Sequence, residues 1–207
     1  MKLQIAFDIP DLEKAVALAS QVERYADIIE LGTLLLYKHG ARAVERFREA
    51  LPKAVILADA KIIDRGKDSV TMFASAGADW VTVMAGTSAE VIHSACTTAH
   101  QLGRKVMLDL VDSSSVGQSA LEAKNLGVDA LLFHQPYDVK DALLMFDKWD
   151  MVRGNSPLPI YVAAKINRDT IENVIAIKPD GIVVGRAIVE ADDPAAEAEF
   201  FAQVAQR

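Results

Sequence analysis

The chain has 207 residues, 51% of them hydrophobic, with 29 acidic against 22 basic side chains and a net charge of −7. That is enough apolar material for one sizeable core, which excludes a disordered chain, and its apolar runs are strand-sized, too short to span a membrane. The acidity argues against nucleic acid, whose binding needs clustered Lys and Arg.

The N-terminus enters an apolar run at once, residues 3–7, and meets Asp8, with no signal-peptide h-region; a cytoplasmic protein is expected. Residues 12–22 set Leu12, Ala15, Leu18, Ala19 and Val22 three and four apart, the spacing of a helix with one buried face. A second apolar run, 28–31, is broken by Glu30, a carboxylate that is costly to bury without a partner. His39 reads as a loop residue before the helix expected over 41–51. The third run, 55–57, gives way to Asp59, Lys61 and Asp64, two carboxylates and an ammonium within six residues. Such charges shift one another's titration and cost stability unless they have a use, although a strand end followed by a solvated turn is the plain alternative.

A helix over 66–76 closes in Ala76-Gly77-Ala78-Asp79, a glycine stop that feeds a strand over 80–84. The helix over 89–102 carries His93 and His100, read as surface or packing residues, and Cys96, read as a packed thiol. One cysteine makes no internal disulfide, which fits a reducing compartment. Asp109 sits within the strand over 106–110. After a helix over 115–126, the glycine-then-aspartate stop returns as Leu126-Gly127-Val128-Asp129, and the strand over 130–133 leads to His134. A helix over 139–149, a strand over 160–163 ending in Ala164-Lys165, and a helix over 168–177 follow. The turn Pro179-Asp180-Gly181, a strand over 181–184 ending in Gly185-Arg186, and a helix over 194–206 complete the series.

Strands separated by helices run parallel. Eight such units with no strand left over, and no G-x-G-x-x-G after the first strand, favour an α/β architecture of the (β/α)8-barrel type over a doubly wound open sheet, with residues 1–207 forming a single domain. A barrel carries its active site at the C-terminal strand ends. Asp8, Glu30, Asp59, Lys61, Asp109, His134, Lys165 and Arg186 would then share one rim, the acids suited to a divalent cation and the bases of the last two units to a phosphate. Taken singly, Asp8 could instead cap the first helix, and His134, Lys165 and Arg186 could be ordinary solvated groups.

These same segments carry a resemblance. Leu3-Gln4-Ile5-Ala6-Phe7-Asp8, Ile28-Ile29-Glu30-Leu31-Gly32-Thr33, Asp59-Ala60-Lys61-Ile62-Ile63-Asp64, Ala76-Gly77-Ala78-Asp79-Trp80-Val81-Thr82-Val83 and Val184-Gly185-Arg186-Ala187-Ile188 resemble a group within the orotidine monophosphate decarboxylase superfamily. That group holds the 3-hexulose-6-phosphate synthases and the 3-keto-L-gulonate-6-phosphate decarboxylases, and the resemblance covers nearly the whole chain. It implies a phosphosugar lyase in which Glu30 and Asp59 ligate Mg²⁺, Asp8 contacts substrate hydroxyls, Lys61 lies beside an enediolate and His134 transfers the proton. It further implies a homodimer in which Asp64 reaches into the partner's site. Gly185 and Arg186 would hold the phosphate, and Asp109, Ala164 and Lys165 join them as substrate-binding residues.

Within the group, the synthase adds formaldehyde to D-ribulose 5-phosphate, whereas the decarboxylase loses CO₂ to give L-xylulose 5-phosphate. Asp109 resembles the synthase strand, where decarboxylases tend to carry Glu. Gln135-Pro136-Tyr137 follows His134 in place of the decarboxylases' arginine-bearing H-R-S-R. Both features point to the synthase, with the decarboxylase and a non-catalytic sugar-phosphate binding paralogue as alternatives. One departure stands out: Ala164-Lys165 replaces the glycine pair that ends strand seven in the family. Lys165 must either adopt a glycine-like backbone, at roughly 1–3 kcal/mol of strain, or sit in a rebuilt loop.

Overall fold

A computed structural model describes residues 1–136, 138 and 147–207 of the chain. Eight parallel strands close into a barrel in chain order: β1 (Lys2–Phe7), β2 (Ile28–Leu31), β3 (Ile56–Ile62), β4 (Trp80–Met84), β5 (Lys105–Asp109), β6 (Ala130–His134), β7 (Ile160–Ala163) and β8 (Gly181–Val184). The closing seam pairs Lys2 with Gly181 and Ile5 with Val184. The fold is the (β/α)8 barrel expected from the alternation of elements.

Alternate strand residues face in and out, so each strand serves two cores. Leu3, Ile5, Phe7, Ile29, Leu31, Ile56, Ala58, Val81 and Val83 point outward into a large core shared with the helices. Ala6, Ile28, Leu57, Met107, Ala130, Leu132, Tyr161 and Val183 fill the lumen. Gly181 makes room for the Tyr161 ring there, since a Cβ at that position would lie 2.4 Å from two ring carbons. The lower lumen is therefore packed solid, and the polar inward residues collect above it.

Short side chains start the helices. Asp11 accepts from the Lys14 N–H to begin Leu12–Val22, Ser88 begins Ala89–Gln101, and Asp193 with Pro194 behind it begins Pro194–Ala205. Asp11, not Asp8, thus caps the first helix; the Asp8 carboxylate accepts from the Leu34 N–H across the barrel mouth.

At the opposite end of the barrel one device occurs four times. Asp27, Asp79, Asp129 and Asp180 each precede an even-numbered strand. Each donates its backbone N–H to a carbonyl of the strand before it (Leu3, Ile56, Val106, Ile160), while its side chain accepts the N–H of that same residue. The two bonds close a ring and lock the register. Basic side chains finish each clamp: Lys2 on Asp27, Arg48 and Arg104 on Asp79, the His100 ring on Asp129, Arg153 on Asp180. The glycine-then-aspartate signals in the sequence are two of these clamps.

Several boundaries differ from expectation. β3 does not stop at Leu57 but runs to Ile62, carrying Asp59 and Lys61 inside it. Its pairing with β4 slips between Ala58 and Ile62, and Lys61 takes φ +45°. The charged residues broke the apolar pattern without breaking the strand, because they face a polar lumen. His39 is the last residue of a helix, Thr33–His39, and not in a loop; its Nε2 lies 2.9 Å from the Pro10 carbonyl. The helix expected over 168–177 is limited to Ile171–Ala176, since Asn167 and Thr170 bond one another and shape a turn before it. Short helices at Trp149–Arg153 and Arg186–Val189 were not anticipated. The helix expected over 139–149 lies outside the described residues except for its last three positions, of which Asp147 and Lys148 form a turn and Trp149 begins the short helix Trp149–Arg153. Cys96 is buried, and loss of hydration pushes its thiol up to about 12.

The Asp79 clamp carries two arginines, each 2.6 Å from the carboxylate. Asp79→Ala should lower the unfolding free energy by about 2–3 kcal/mol, by leaving the Ile56 amide and both guanidinium groups without their acceptor. Asp27→Ala, whose Lys2 is exposed, should cost about 1 kcal/mol. Denaturant unfolding of the two variants measures the difference.

Candidate active site

The strand ends bring Asp8, Glu30, Asp59, Lys61, Asp109 and His134 to the mouth of one barrel. Lys61 is at the centre. Its Nζ lies 2.8 Å from Asp109 Oδ2 and 3.2 Å from Asp59 Oδ2. Burial works against the ammonium, but the two carboxylates outweigh it and hold its pKa above the ordinary value. It is therefore a fixed positive charge.

Asp109 has no exposed surface and spends its oxygens on three partners. Oδ2 takes Lys61 and lies 2.9 Å from His134 Nδ1, while Oδ1 accepts the Val111 N–H. Burial opposes its charge, yet His134 and Lys61 hold the carboxyl below the usual range. With Nδ1 bound to a carboxylate, the imidazole has one tautomer favoured and Nε2 left as its basic nitrogen. Asp109 was expected to bind substrate; these contacts give it the work of orienting His134 and Lys61.

Asp59 accepts from Thr33 at 2.6 Å on Oδ2 and from Thr82 at 2.8 Å on Oδ1. Glu30, 6% exposed, accepts from Gln4 Nε2 at 2.5 Å, and Gln4 Oε1 has no hydrogen-bond partner. Burial first, and then the nearby Asp59 charge, push Glu30 up to about 8, against the smaller pull of Gln4. Asp8 stands open at the mouth, yet loss of hydration among its neighbours raises its carboxyl, with the Leu34 N–H pulling the other way. Gly32 is required beside it, because a Cβ there would lie 2.2 Å from Asp8 Oδ1.

The remaining residues lie beyond strand ends. Lys165 follows the C-terminal end of β7 and Gly185 that of β8, two strands that pair in parallel through Val162 and Ile182. Lys165 takes φ +51°, the glycine-like backbone, and Ala164 before it is buried. Arg186 is exposed and opens the helix Arg186–Val189. Asp64 is exposed and accepts from the Arg65 N–H. Thr33, Thr82 and Gln4 were missed from sequence alone; the inward register of Gln4 and Thr82 is known only once the barrel is closed, and Thr33 is marked only by its place at the start of the helix after β2. A separate cleft of about 380 Å³ is lined by Ser113, Ser115, Lys148, Met151 and Asn155 among others, and among the described residues it has no acid or histidine in its lining.

Glu30 gives a pH signature. Its folded-state pKa lies above its unfolded one, so its contribution to stability is full below the ordinary carboxylate range and is lost as pH rises through about 8. Metal-free protein should lose stability between pH 5 and 8 and Glu30→Gln should flatten that slope, as read by denaturant unfolding across the range.

Comparison with known proteins agrees with this geometry. Residues 1–201 match the model of the Orotidine 5'-phosphate decarboxylase / HUMPS family. A 3-hexulose-6-phosphate synthase of Bacillus subtilis is 32% identical over 206 residues, covering 99% of this chain and 98% of its own. The crystal structure of a 3-hexulose-6-phosphate synthase from Salmonella typhimurium superposes with a TM-score of 0.91 at 32% identity, covering 100% and 99% of the two chains. A 3-keto-L-gulonate-6-phosphate decarboxylase from Vibrio cholerae gives a TM-score of 0.82 at 28% identity, covering 98% and 97%.

Proposed function

The chain belongs to the orotidine 5'-phosphate decarboxylase / HUMPS family, and we propose that within it the protein is a 3-hexulose-6-phosphate synthase, an aldolase that joins formaldehyde to D-ribulose 5-phosphate. The observation that carries this reading is the Asp109 carboxylate, which ties His134 Nδ1 and Lys61 Nζ together at 2.9 and 2.8 Å. An imidazole so oriented is a base, and a base is what the synthase needs and a decarboxylation does not. Gln135-Pro136 follows His134 where the decarboxylases resemble H-R-S-R, so an arginine to assist protonation is lacking there.

His134 Nε2 takes the C1 proton of ribulose 5-phosphate, and the C–H electron pair enters the C1–C2 bond as an enediolate forms. The Lys61 ammonium, already desolvated and aimed, stabilises the negative charge as it develops. C1 then attacks the formaldehyde carbon, and the carbonyl electron pair moves to its oxygen. That oxygen takes the proton back from His134, leaving a hex-3-ulose 6-phosphate.

The pair Glu30 and Asp59 fits a Mg²⁺ ion. Both are hard oxygen donors, Glu30 is buried without a cationic partner of its own, and Gln4 beside it has an orphaned carbonyl oxygen. Among the described residues no group of three His, Cys, Asp or Glu side chains could hold a metal ion, so the protein's share of the site would be these two carboxylates. When bound, Mg²⁺ supplies positive charge for the substrate oxygens on which the enediolate charge resides.

Lys165, Gly185 and Arg186 are assigned to the substrate phosphate, with Asp8 on the sugar hydroxyls. Asp64 is assigned to the partner's site in a homodimer, a reading supported by its exposure beside the exposed apolar side chains of Leu34, Tyr37 and Ile63.

The purified protein with Mg²⁺ should consume formaldehyde in the presence of ribulose 5-phosphate and release no CO₂ from 3-keto-L-gulonate 6-phosphate; the reverse result transfers it to the decarboxylase branch. His134→Ala should stop exchange of the C1 proton with solvent while the fold persists, read by NMR in D₂O. Lys165→Gly should raise stability by about 1 kcal/mol through relief of the left-handed backbone, and raise the KM for ribulose 5-phosphate. Thermal unfolding and steady-state kinetics check the two effects.

A further inference from the structure

Thr82 faces inward from the middle of β4 and is 1% exposed. A β-branched apolar residue would suit that position as well by packing alone. Beside it, β3 slips its register: Ala58 pairs with Val81 and the next pair is Ile62 with Val83, so extra β3 residues bulge out between them. A bulge removes ladder bonds, and a buried amide without an acceptor is destabilising. The Lys61 amide, in a left-handed backbone at φ +45°, has lost its ladder partner in this way and donates to Thr82 Oγ1 at 2.9 Å. The same hydroxyl donates its proton to Asp59 Oδ1 at 2.8 Å. One oxygen thus joins the backbone of Lys61 to the carboxylate that also meets the Lys61 side chain 3.2 Å away.

We infer that Thr82 is a positioning residue for Lys61: its hydroxyl holds the bulge in the form that turns the ammonium into the barrel mouth and holds Asp59 in register with it. Thr33 grips the other Asp59 oxygen but makes no bond to the Lys61 backbone, so the task is specific to Thr82. The inference rests on the proposed reaction for its kinetic readout and is independent of it for its structural one.

The test compares Thr82→Val, which keeps shape and removes the hydroxyl, with Thr82→Ser, which keeps the hydroxyl. Residues that orient a reactive group typically cost about 10–100-fold when removed. Thr82→Val should lose about that factor in kcat with the KM for ribulose 5-phosphate changed less than about threefold, while Thr82→Ser keeps at least about half of the wild-type kcat. Hydrogen exchange at the Lys61 amide should quicken about tenfold or more in Thr82→Val and stay near wild type in Thr82→Ser. Should Thr82→Val not fold, Thr82→Cys, whose thiol is a feeble donor and acceptor, takes its place with the same expectation. A Val or Cys variant with near wild-type kcat and unchanged Lys61 exchange overturns the inference, as does a Ser variant as impaired as Val. If the wild type lacks synthase activity, the proposed function falls, and the exchange rates alone decide for or against Thr82.

Discussion

A lysine ammonium held between two buried carboxylates is the constraint around which the barrel mouth is arranged. The Asp59–Lys61–Asp109 series comes from two strands that are not neighbours, so Asp109 must arrive at the lumen independently of the β3 pair. Removal of any one leaves a desolvated charge without its partner, a loss of several kcal/mol in a buried site. The network therefore couples stability to chemistry: the groups that stabilise the enediolate in the proposed reaction are also those that hold one another in place. His134 is drawn in through Asp109, and Thr33 and Thr82 complete the shell of Asp59.

Most of the backbone strain lies at the same end. Of the four described non-glycine residues with a left-handed backbone, which most side chains avoid, Lys61, Arg65 and Lys165 lie in segments that follow or end strands at the mouth, and Lys178 precedes β8 at the other end. Glu30 adds an electrostatic penalty, a carboxyl raised by burial and by a like charge. The opposite end of the barrel offsets this, with Tyr161 packed over Gly181 and the aspartate clamps closing every second strand pair. A rigid base and a costly mouth are what a scaffold needs if its loops are to carry reactive groups at fixed positions.

Much of this was legible in the sequence. The runs at Ile28–Leu31, Trp80–Met84, Ile160–Ala163 and Gly181–Val184 are strands at the very bounds that their apolar composition suggests. The residues that terminate runs were readable as a shared rim because a parallel barrel sends all C-terminal ends one way. The interior of β3 was not readable: Asp59-Ala60-Lys61 looks like a turn unless the lumen is known to be polar at that height. Gln4 and Thr82 were hidden for a related reason, since a polar residue inside an apolar run shows its orientation only after strand register is set. The helix Thr33–His39 was hidden by its outward Leu34 and Tyr37, which blur the amphipathic spacing.

The clamps divide the eight strands unevenly. Asp27 fastens β2 to β1, Asp79 fastens β4 to β3, Asp129 fastens β6 to β5 and Asp180 fastens β8 to β7, while the intervening seams carry no such aspartate ring; β4 and β5 are bridged there by Arg104 on Asp79 and by Lys105 over the Trp80 ring. The cylinder is in this sense four doublets laid edge to edge. New chain ends introduced between doublets, as in a circular permutant, would leave every fastening whole, whereas a break inside a doublet would separate an aspartate from the strand it secures.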